Sequence, residues 1–399
     1  MFGGVITFVS LTYQYRNLVV YCTAFFLPLY SFVFNLNNKA ANKYNFRIIS
    51  KMNHEIYINR CITLAQYSEG KTAPNPMVGA VVVYNDKVIG EGYHKEYGKT
   101  HAEVNAISSV KDKSLLKQST LYVNLEPCSH YGKTPPCADL IIRSGIPRVV
   151  VGMRDVNPKV NGNGINMLRN AGIEVIEGVL ENDCKYLNRR FVTFIEKKRP
   201  YILLKWAQTF DNFIDIHRYS SDVKPLKISN KVTKILNHQI RTQEAAIMVA
   251  TRTAILDNPH LTVRKWSGRN PVRVLIDRSL KVPADFNIFD NSTRTLIFNQ
   301  IKEETKANTE FIKLDFGTNI LPQILSKLYE YNIQSLIVEG GRQLLESFVE
   351  YGCWDECHVE VSNQIIKNGV AAPILTNYDI VSKHILDNNS CFVYKNNII

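Results

Sequence analysis

The chain has 399 residues, 45% of them apolar and 21% charged, with a formal net charge of +12. That length fits two domains of roughly 150–200 residues with proper cores, which excludes bulk disorder. Eight cysteines over such a length exclude the disulfide framework of a short secreted domain and point to a reducing, cytoplasmic setting. The Lys and Arg residues form no long run. A basic surface of this kind suits nucleic acid, anionic lipid or phosphorylated metabolites without choosing among them.

From Met1 to Leu36 the only charged residue is Arg16, and Leu18 to Phe34 is almost unbroken apolar and aromatic sequence. The stretch is slightly short for a membrane span of about 20 residues. It also lacks a basic segment ahead of it and a small-residue cleavage site. A membrane anchor, a targeting peptide and translated upstream sequence with the true start at Met52 compete. The helical pattern just after Met52 favours the last, so residues 1–51 are expected to be an extension outside the mature protein, with no stable membrane association.

Glu55 to Ser68 sets Ile58, Ile62, Leu64 and Ala65 near helical spacing, and Gly70 stops the helix. Ala73-Pro74-Asn75-Pro76 is a rigid loop. Gly79 to Tyr84 reads as a buried strand, Asn85-Asp86 as a turn, and Val88 to Tyr93 as the returning strand. His101 to Val110 is a short helix with Thr100 as its expected N-cap. Thr120 to Leu125 is a strand, and Cys137 to Ser144 is a helix closed by Gly145. Arg148 to Gly152 is a strand, Ile165 to Asn170 a helix and Glu174 to Gly178 a strand. This alternation predicts an α/β/α sandwich over residues 52–197. The basic segment Glu196 to Pro200 reads as the joint to a second α/β domain, residues 200–399. Its expected strands are Tyr201 to Lys205, Ala245 to Val249, Val272 to Ile276, Thr295 to Phe298 and Ser335 to Val338.

Chemistry is concentrated in His101-Ala102-Glu103 and in Pro127-Cys128 followed, after eight residues, by Cys137. Catalytic zinc takes three protein ligands and leaves its fourth position to water, whose pKa it lowers toward neutrality. One imidazole and two thiolates meet that need. Two residues along a helix differ in direction by about 200°, so His101 and Glu103 share a centre only if the metal sits off the helix N-terminus. Cys137 also begins a helix, whose positive end favours a thiolate. Zinc deaminases use a His-x-Glu with the Glu as proton shuttle, followed by Pro-Cys and a second Cys. Their usual cysteine gap is two residues.

The longer gap is filled by Leu125-Glu126-Pro127-Cys128-Ser129-His130-Tyr131-Gly132-Lys133-Thr134-Pro135-Pro136-Cys137. With Pro74 to Gly79, Gly92-Tyr93-His94 and His101 to Ala106, this segment resembles the bifunctional riboflavin-biosynthesis deaminase–reductases. The resemblance runs from about Met52 to the C-terminus. It implies a cytidine-deaminase-like α/β/α sandwich followed by a dihydrofolate-reductase-like α/β domain, with Zn2+ and NADPH as cofactors. The implied reactions are zinc-dependent hydrolytic deamination of 2,5-diamino-6-(5-phosphoribosylamino)pyrimidin-4-one, then NADPH-dependent reduction of its ribosyl group to ribityl. It implies Glu103 as the catalytic residue and His101, Cys128 and Cys137 as metal ligands. It also implies Asn75, His94, His130 and Lys133 as substrate contacts in the first domain, and a homo-oligomer that binds no nucleic acid. In the second domain it implies Lys205, Arg241, Leu261, Arg264 and Glu339 for substrate, and Ala207, Thr253, Asp257 and Gly341 for cofactor. Glycines ahead of a helix, as in Glu339-Gly340-Gly341, let backbone N–H groups approach a phosphate.

The second domain departs from that family pattern. Asn212 and Phe213 replace a Gly and a basic residue, Pro225 a small hydroxyl residue and Lys227 a Trp; Asn258 replaces an acid and Ala250 a Gly. The lost Trp would remove a flat apolar wall. Two alternatives therefore stand beside the bifunctional enzyme: a deaminase whose second domain is an inactive scaffold, and a nucleic-acid-editing deaminase. Cys353, Cys357 and His358 are read as structural, because a strand sends Cys357 and His358 to opposite faces. Gly162-Asn163-Gly164 is read as a turn lacking the rest of a dinucleotide fingerprint, and Cys61 and Cys184 as core residues.

Overall fold

The structure, a computed structural model, describes residues 54–130, 135–158 and 160–397. The expectations for residues 1–51 and for Lys133 lie outside the described residues.

Helix α1 (54–66) leads into the hairpin β1 (Gly79–Tyr84) and β2 (Lys87–Tyr93). Asn85 and Asp86 turn it with positive φ at both positions, as a tight hairpin requires. Then come α2 (Ala102–Ser109), β3 (Thr120–Leu125), α3 (Cys137–Arg143), β4 (Arg148–Met153), α4 (Asn163–Asn170) and β5 (Glu174–Ile176). The five strands form one sheet in the order β2-β1-β3-β4-β5, with β3, β4 and β5 parallel. The Val-rich run of β1 is buried almost throughout because both sheet faces are covered. Ala106, Ile141 and Leu168, from α2, α3 and α4, pack on one face. Ile58 and Leu64 of α1 pack on the other with Cys184. The expected α/β/α sandwich is what forms, and Cys61 and Cys184 are both fully buried in it.

Two helices, α5 (Glu181–Leu187) and α6 (Arg189–Lys197), were not expected. Both are short and follow a strand that ends two residues earlier than its sequence suggests, at Ile176. The joint is pinned: Arg199 makes two hydrogen bonds to Asp355, and Lys198 turns the chain with φ +51°.

The second half contains β6 (Tyr201–Gln208), β7 (Phe213–Asp215), α7 (Lys231–Gln243), β8 (Ala246–Ala250), α8 (Thr251–Asp257), β9 (Val272–Ile276) and β10 (Thr295–Asn299). It continues with β11 (Glu304–Lys306), β12 (Thr309–Lys313), α9 (Ile320–Glu330), β13 (Ser335–Gly340), α10 (Arg342–Glu350), β14 (Glu356–Val361), β15 (Val370–Ala371), β16 (Tyr378–Leu386) and β17 (Asn389–Asn396). Ten of these strands form one sheet, β11-β12-β10-β9-β8-β13-β6-β14-β17-β16, whose run from β12 to β14 is parallel. Leu321, Ile324 and Leu328 of α9 and Leu345 and Phe348 of α10 cover one face, and Ala254 of α8 packs on the other. On β14, Cys357 is fully buried while His358 is partly exposed against Glu356. The structural reading of that cluster stands.

Candidate active sites

The first site forms where α2 and α3 begin. His101, rather than the expected Thr100, is the N-cap residue of α2, with extended backbone and no side-chain capping bond. The Thr100 hydroxyl instead donates to the Asn105 side chain at 2.7 Å, which draws it away from the helix N–H groups. His101 Nδ1 lies 3.3 Å from Cys137 Sγ and 3.5 Å from Cys128 Sγ, and the three ligand atoms fall within 4.8 Å of one another. Tetrahedral zinc, with bonds of about 2.0 Å to nitrogen and about 2.3 Å to sulfur, separates its ligand atoms by about 3.5–3.8 Å. The donor set fits that ion.

The α3 N-terminus favours the other cysteine from the one expected. The Cys137 backbone N–H donates to Cys128 Sγ at 3.3 Å. The Cys137 thiol beside it is the main influence holding the Cys128 thiol down at about 4, while Cys137 itself is pushed up. Glu103, 3% exposed, is raised to about 7 by burial and then by the Cys128 charge.

His94 sits beside this centre, its ring edge-on to His101 at 5.7 Å. Its Nδ1 donates to the Thr100 carbonyl at 3.1 Å, which leaves Nε2 to accept from the Asn75 amide at 3.2 Å. Burial lowers its pKa, consistent with a neutral ring. Asn75 and His94 thus join the metal-ligand cluster. His130 is exposed.

Glu126 was missed as a site element. It is 3% exposed, and its carboxylate accepts backbone N–H groups of Asp155, Gly162, Gly164 and Ile165 at 2.9–3.2 Å. A Cβ on Gly164 would stand 2.0 Å from the Pro127 carbonyl oxygen. The Gly162-Asn163-Gly164 turn is therefore the socket for the loop that presents Cys128. Its donors lie 29–39 residues beyond Glu126, a separation at which sequence offers no signal.

The second site is a cavity of about 660 Å³ at the C-terminal ends of β6, β8 and β13, the usual ligand position in an open parallel sheet. Lys205, Ala207, Thr253, Asp257, Glu339 and Gly341 line it, as do Pro225, Lys227 and Ala250 from the departing positions. Arg241 stands one step behind, paired with Glu339 at 2.7 Å. Burial works against ionisation of Glu339, but Arg241 and Lys205 outweigh it and hold the carboxyl at about 2. Leu261 is buried with φ +52°, and Arg264 is exposed, its backbone N–H donating to His238. Neither lines the cavity. Asp257 is engaged by Arg218, which also holds Asp215 and is 4% exposed.

Gly341 is the N-cap of α10, and a Cβ there would stand 3.2 Å from Thr253 Oγ1. This small cradle beside a helix N-terminus, with Lys205, Lys227 and Arg252 on the walls, fits a phosphorylated dinucleotide. Two departures are sterically mild. Asn212 takes φ +65° in the turn after β6, a conformation that Asn tolerates better than most side chains. Asn258 caps α8 and accepts the Asn287 backbone N–H at 2.8 Å.

Residues 51–153 match the cytidine and deoxycytidylate deaminase zinc-binding region, and residues 200–382 match the RibD C-terminal domain. The chain is 43% identical over 323 residues to the riboflavin biosynthesis protein RibD of Aquifex aeolicus, covering 79% of this chain and 88% of that one. It is 41% identical over 331 residues to its namesake from Bacillus amyloliquefaciens, covering 80% and 87%. A crystal structure of a diaminohydroxyphosphoribosylaminopyrimidine deaminase/5-amino-6-(5-phosphoribosylamino)uracil reductase from Thermotoga maritima superposes with a TM-score of 0.80. That pair is 37% identical and covers 87% of this chain and 99% of the other.

Proposed function

The chain belongs to the RibD family, the bifunctional deaminase–reductases of riboflavin biosynthesis, and from that premise we propose which of its residues perform the two steps. The enzyme is a zinc-dependent deaminase and an NADPH-dependent reductase. It deaminates 2,5-diamino-6-(5-phosphoribosylamino)pyrimidin-4-one and then reduces the ribosyl group to ribityl. Residues 52–197 are the deaminase domain and residues 200–399 the reductase domain.

His101, Cys128 and Cys137 hold the zinc ion, which supplies Lewis-acid activation of water when bound. Glu103 carries the protons. Its carboxyl takes one from the attacking water and delivers one to the departing amino group, a role suited to a buried acid raised to about 7. Asn75 holds the pyrimidine edge: its amide N–H is turned to His94, which leaves its oxygen for a ring donor. His94, His130 and Lys133 complete the substrate contacts.

In the reductase domain NADPH supplies the hydride. Ala207, Thr253, Asp257 and Gly341 bind it. Glu339, kept ionised by Arg241 and Lys205, accepts hydrogen bonds from substrate N–H or hydroxyl groups, while Arg241 balances its charge from behind and Lys205 faces the ligand from the cavity wall. Arg264 and Leu261 act from the adjoining loop. The enzyme works in the cytoplasm as a homo-oligomer without nucleic acid. Among the described residues no helix is long and apolar enough to cross a membrane. The outermost strand β16 exposes Ile380, Val381 and Ile385, an edge of the kind that subunits cover.

The observation that carries this reading is the mutual approach of one imidazole nitrogen and two sulfurs at tetrahedral spacing beside a buried carboxylate. A coupled assay tests it. Full-length enzyme with the diaminopyrimidinone substrate should release ammonia and then consume NADPH in equal amount. Ammonia release without NADPH consumption, even at high enzyme concentration, would favour the scaffold alternative for the second domain.

A further inference from the structure

The segment joining α1 to β1 carries Asn75, and the reductase domain holds it from behind. Gln334, just ahead of β13 and 5% exposed, donates its side-chain N–H to the Pro74 carbonyl at 2.6 Å. That carbonyl belongs to the peptide bond entering Asn75, so the hydrogen bond fixes the orientation of the Asn75 backbone. Gln243, the last residue of α7, donates to Glu69 at 3.0 Å. Gly70 has φ +75° and sits so close to the end of α7 that a Cβ would stand 2.3 Å from the Thr242 carbonyl oxygen. Arg190 ties the same corner together, hydrogen-bonded through two nitrogens to Glu244 and 3.9 Å from Glu69. From the other side, the Asn188 side chain brackets Met77 through both its N–H and its carbonyl. The amide of Asn75 then meets His94, which faces His101.

We infer that the reductase domain completes the deaminase substrate site: Gln334 and the last turn of α7 set the position of residues 69–75 and so aim the Asn75 amide at the pyrimidine. Gln334 is a positioning residue for deamination although it belongs to the other domain. This inference rests on the reading of Asn75 as a substrate contact. Gln334 is well separated from the reductase chemistry. It stands at the N-terminal end of β13, where its own carbonyl accepts the Tyr201 N–H at 2.9 Å. Glu339 and Gly341 stand at the C-terminal end, roughly 17 Å further along the strand. A side-chain change at Gln334 therefore disturbs the first activity and spares the second.

The test compares Gln334→Ala, Gln334→Glu and Asn75→Ala with the parent full-length enzyme, measuring deamination, reduction of supplied deaminated intermediate, zinc content and melting temperature. Loss of one hydrogen bond that positions a substrate group is worth about three- to tenfold. Both Gln334 variants should raise the deaminase KM by about that factor with kcat little changed. Gln334→Glu should be the worse, since its carboxylate faces a carbonyl oxygen without a proton to give. Reduction and zinc content should match the parent, and melting should fall by no more than a few degrees, further in Gln334→Glu than in Gln334→Ala. An unchanged deaminase KM in both Gln334 variants, with Asn75→Ala raising it, would overturn the inference while leaving the reading of Asn75 intact. So would a parallel loss of both activities and of melting temperature. An unchanged KM in Asn75→Ala would overturn that reading and this inference together.

Discussion

The two active sites are built on opposite principles. The deaminase centre draws its ligands from two short windows, His101 to Glu103 and Cys128 to Cys137, and each donor atom must lie within about 2.3 Å of one point. The reductase cavity is assembled from β6, the 214–229 segment, α8, β13 and the start of α10, and its walls need shape and charge rather than fixed donor atoms. The substitutions follow that division. Every residue of the metal motif stands, whereas Pro225, Lys227 and Ala250 all line the cavity. A site defined by coordination tolerates no drift, while one defined by enclosure absorbs a lysine where an aromatic would stand.

The contrast can be broken most sharply at the metal. Cys137→Ser should lose stoichiometric zinc by elemental analysis and lower deaminase kcat by at least about a thousandfold, with reduction of supplied intermediate preserved. Zinc retained in that variant would sever the motif from the ion. At the second site the largest effect belongs to Glu339→Gln. Replacing an ionised, hydrogen-bonded carboxylate should cost about a hundredfold in reductase kcat/KM, or ~2.7 kcal/mol, and leave ammonia release untouched.

Glu339 also sets an acid limit. Its pKa is about 2 in the folded chain, against about 4.3 in an unfolded one. The folded value is the lower, so its stabilisation is fully present above about pH 5 and is lost as pH falls toward about 2. Denaturant unfolding should show up to about 3 kcal/mol of that loss in the parent and less of it in Glu339→Gln. A smaller effect is expected where the two principles meet. Glu126→Gln keeps one oxygen for two of the four backbone donors and turns an amide NH2 toward the other two, so stability should fall by about 2 kcal/mol. Deamination should weaken several-fold without zinc loss, as measured by denaturant melts and ammonia release. Wild-type stability in Glu126→Gln would mean that the loop presenting Cys128 needs no such anchor.

Legibility in the sequence follows the same division. β1 and β3 were readable to the residue because buried parallel or doubly covered strands are near-continuous apolar runs. The cluster of His101, Cys128 and Cys137 was readable as a candidate metal site because those residue types are rare in combination. The exchange of N-cap from Thr100 to His101 was hidden, since it depends on the Asn105 side chain drawing the Thr100 hydroxyl away. The roles of Glu126 and Gln334 were hidden because their partners are remote: Gln334 meets Pro74 across 260 positions. Leu261 and Arg264, implied as site residues by family resemblance, stand outside the cavity lining, and nothing in the sequence showed which implied residues form the walls.

The most direct test is Glu103→Gln in the full-length enzyme, following ammonia, NADPH and zinc together. Ammonia release should fall by about 10²–10⁴-fold while zinc stays bound and supplied deaminated intermediate still oxidises NADPH at the parent rate. Undiminished ammonia release from a zinc-replete Glu103→Gln enzyme would contradict the assignment of Glu103 as the proton carrier at this centre.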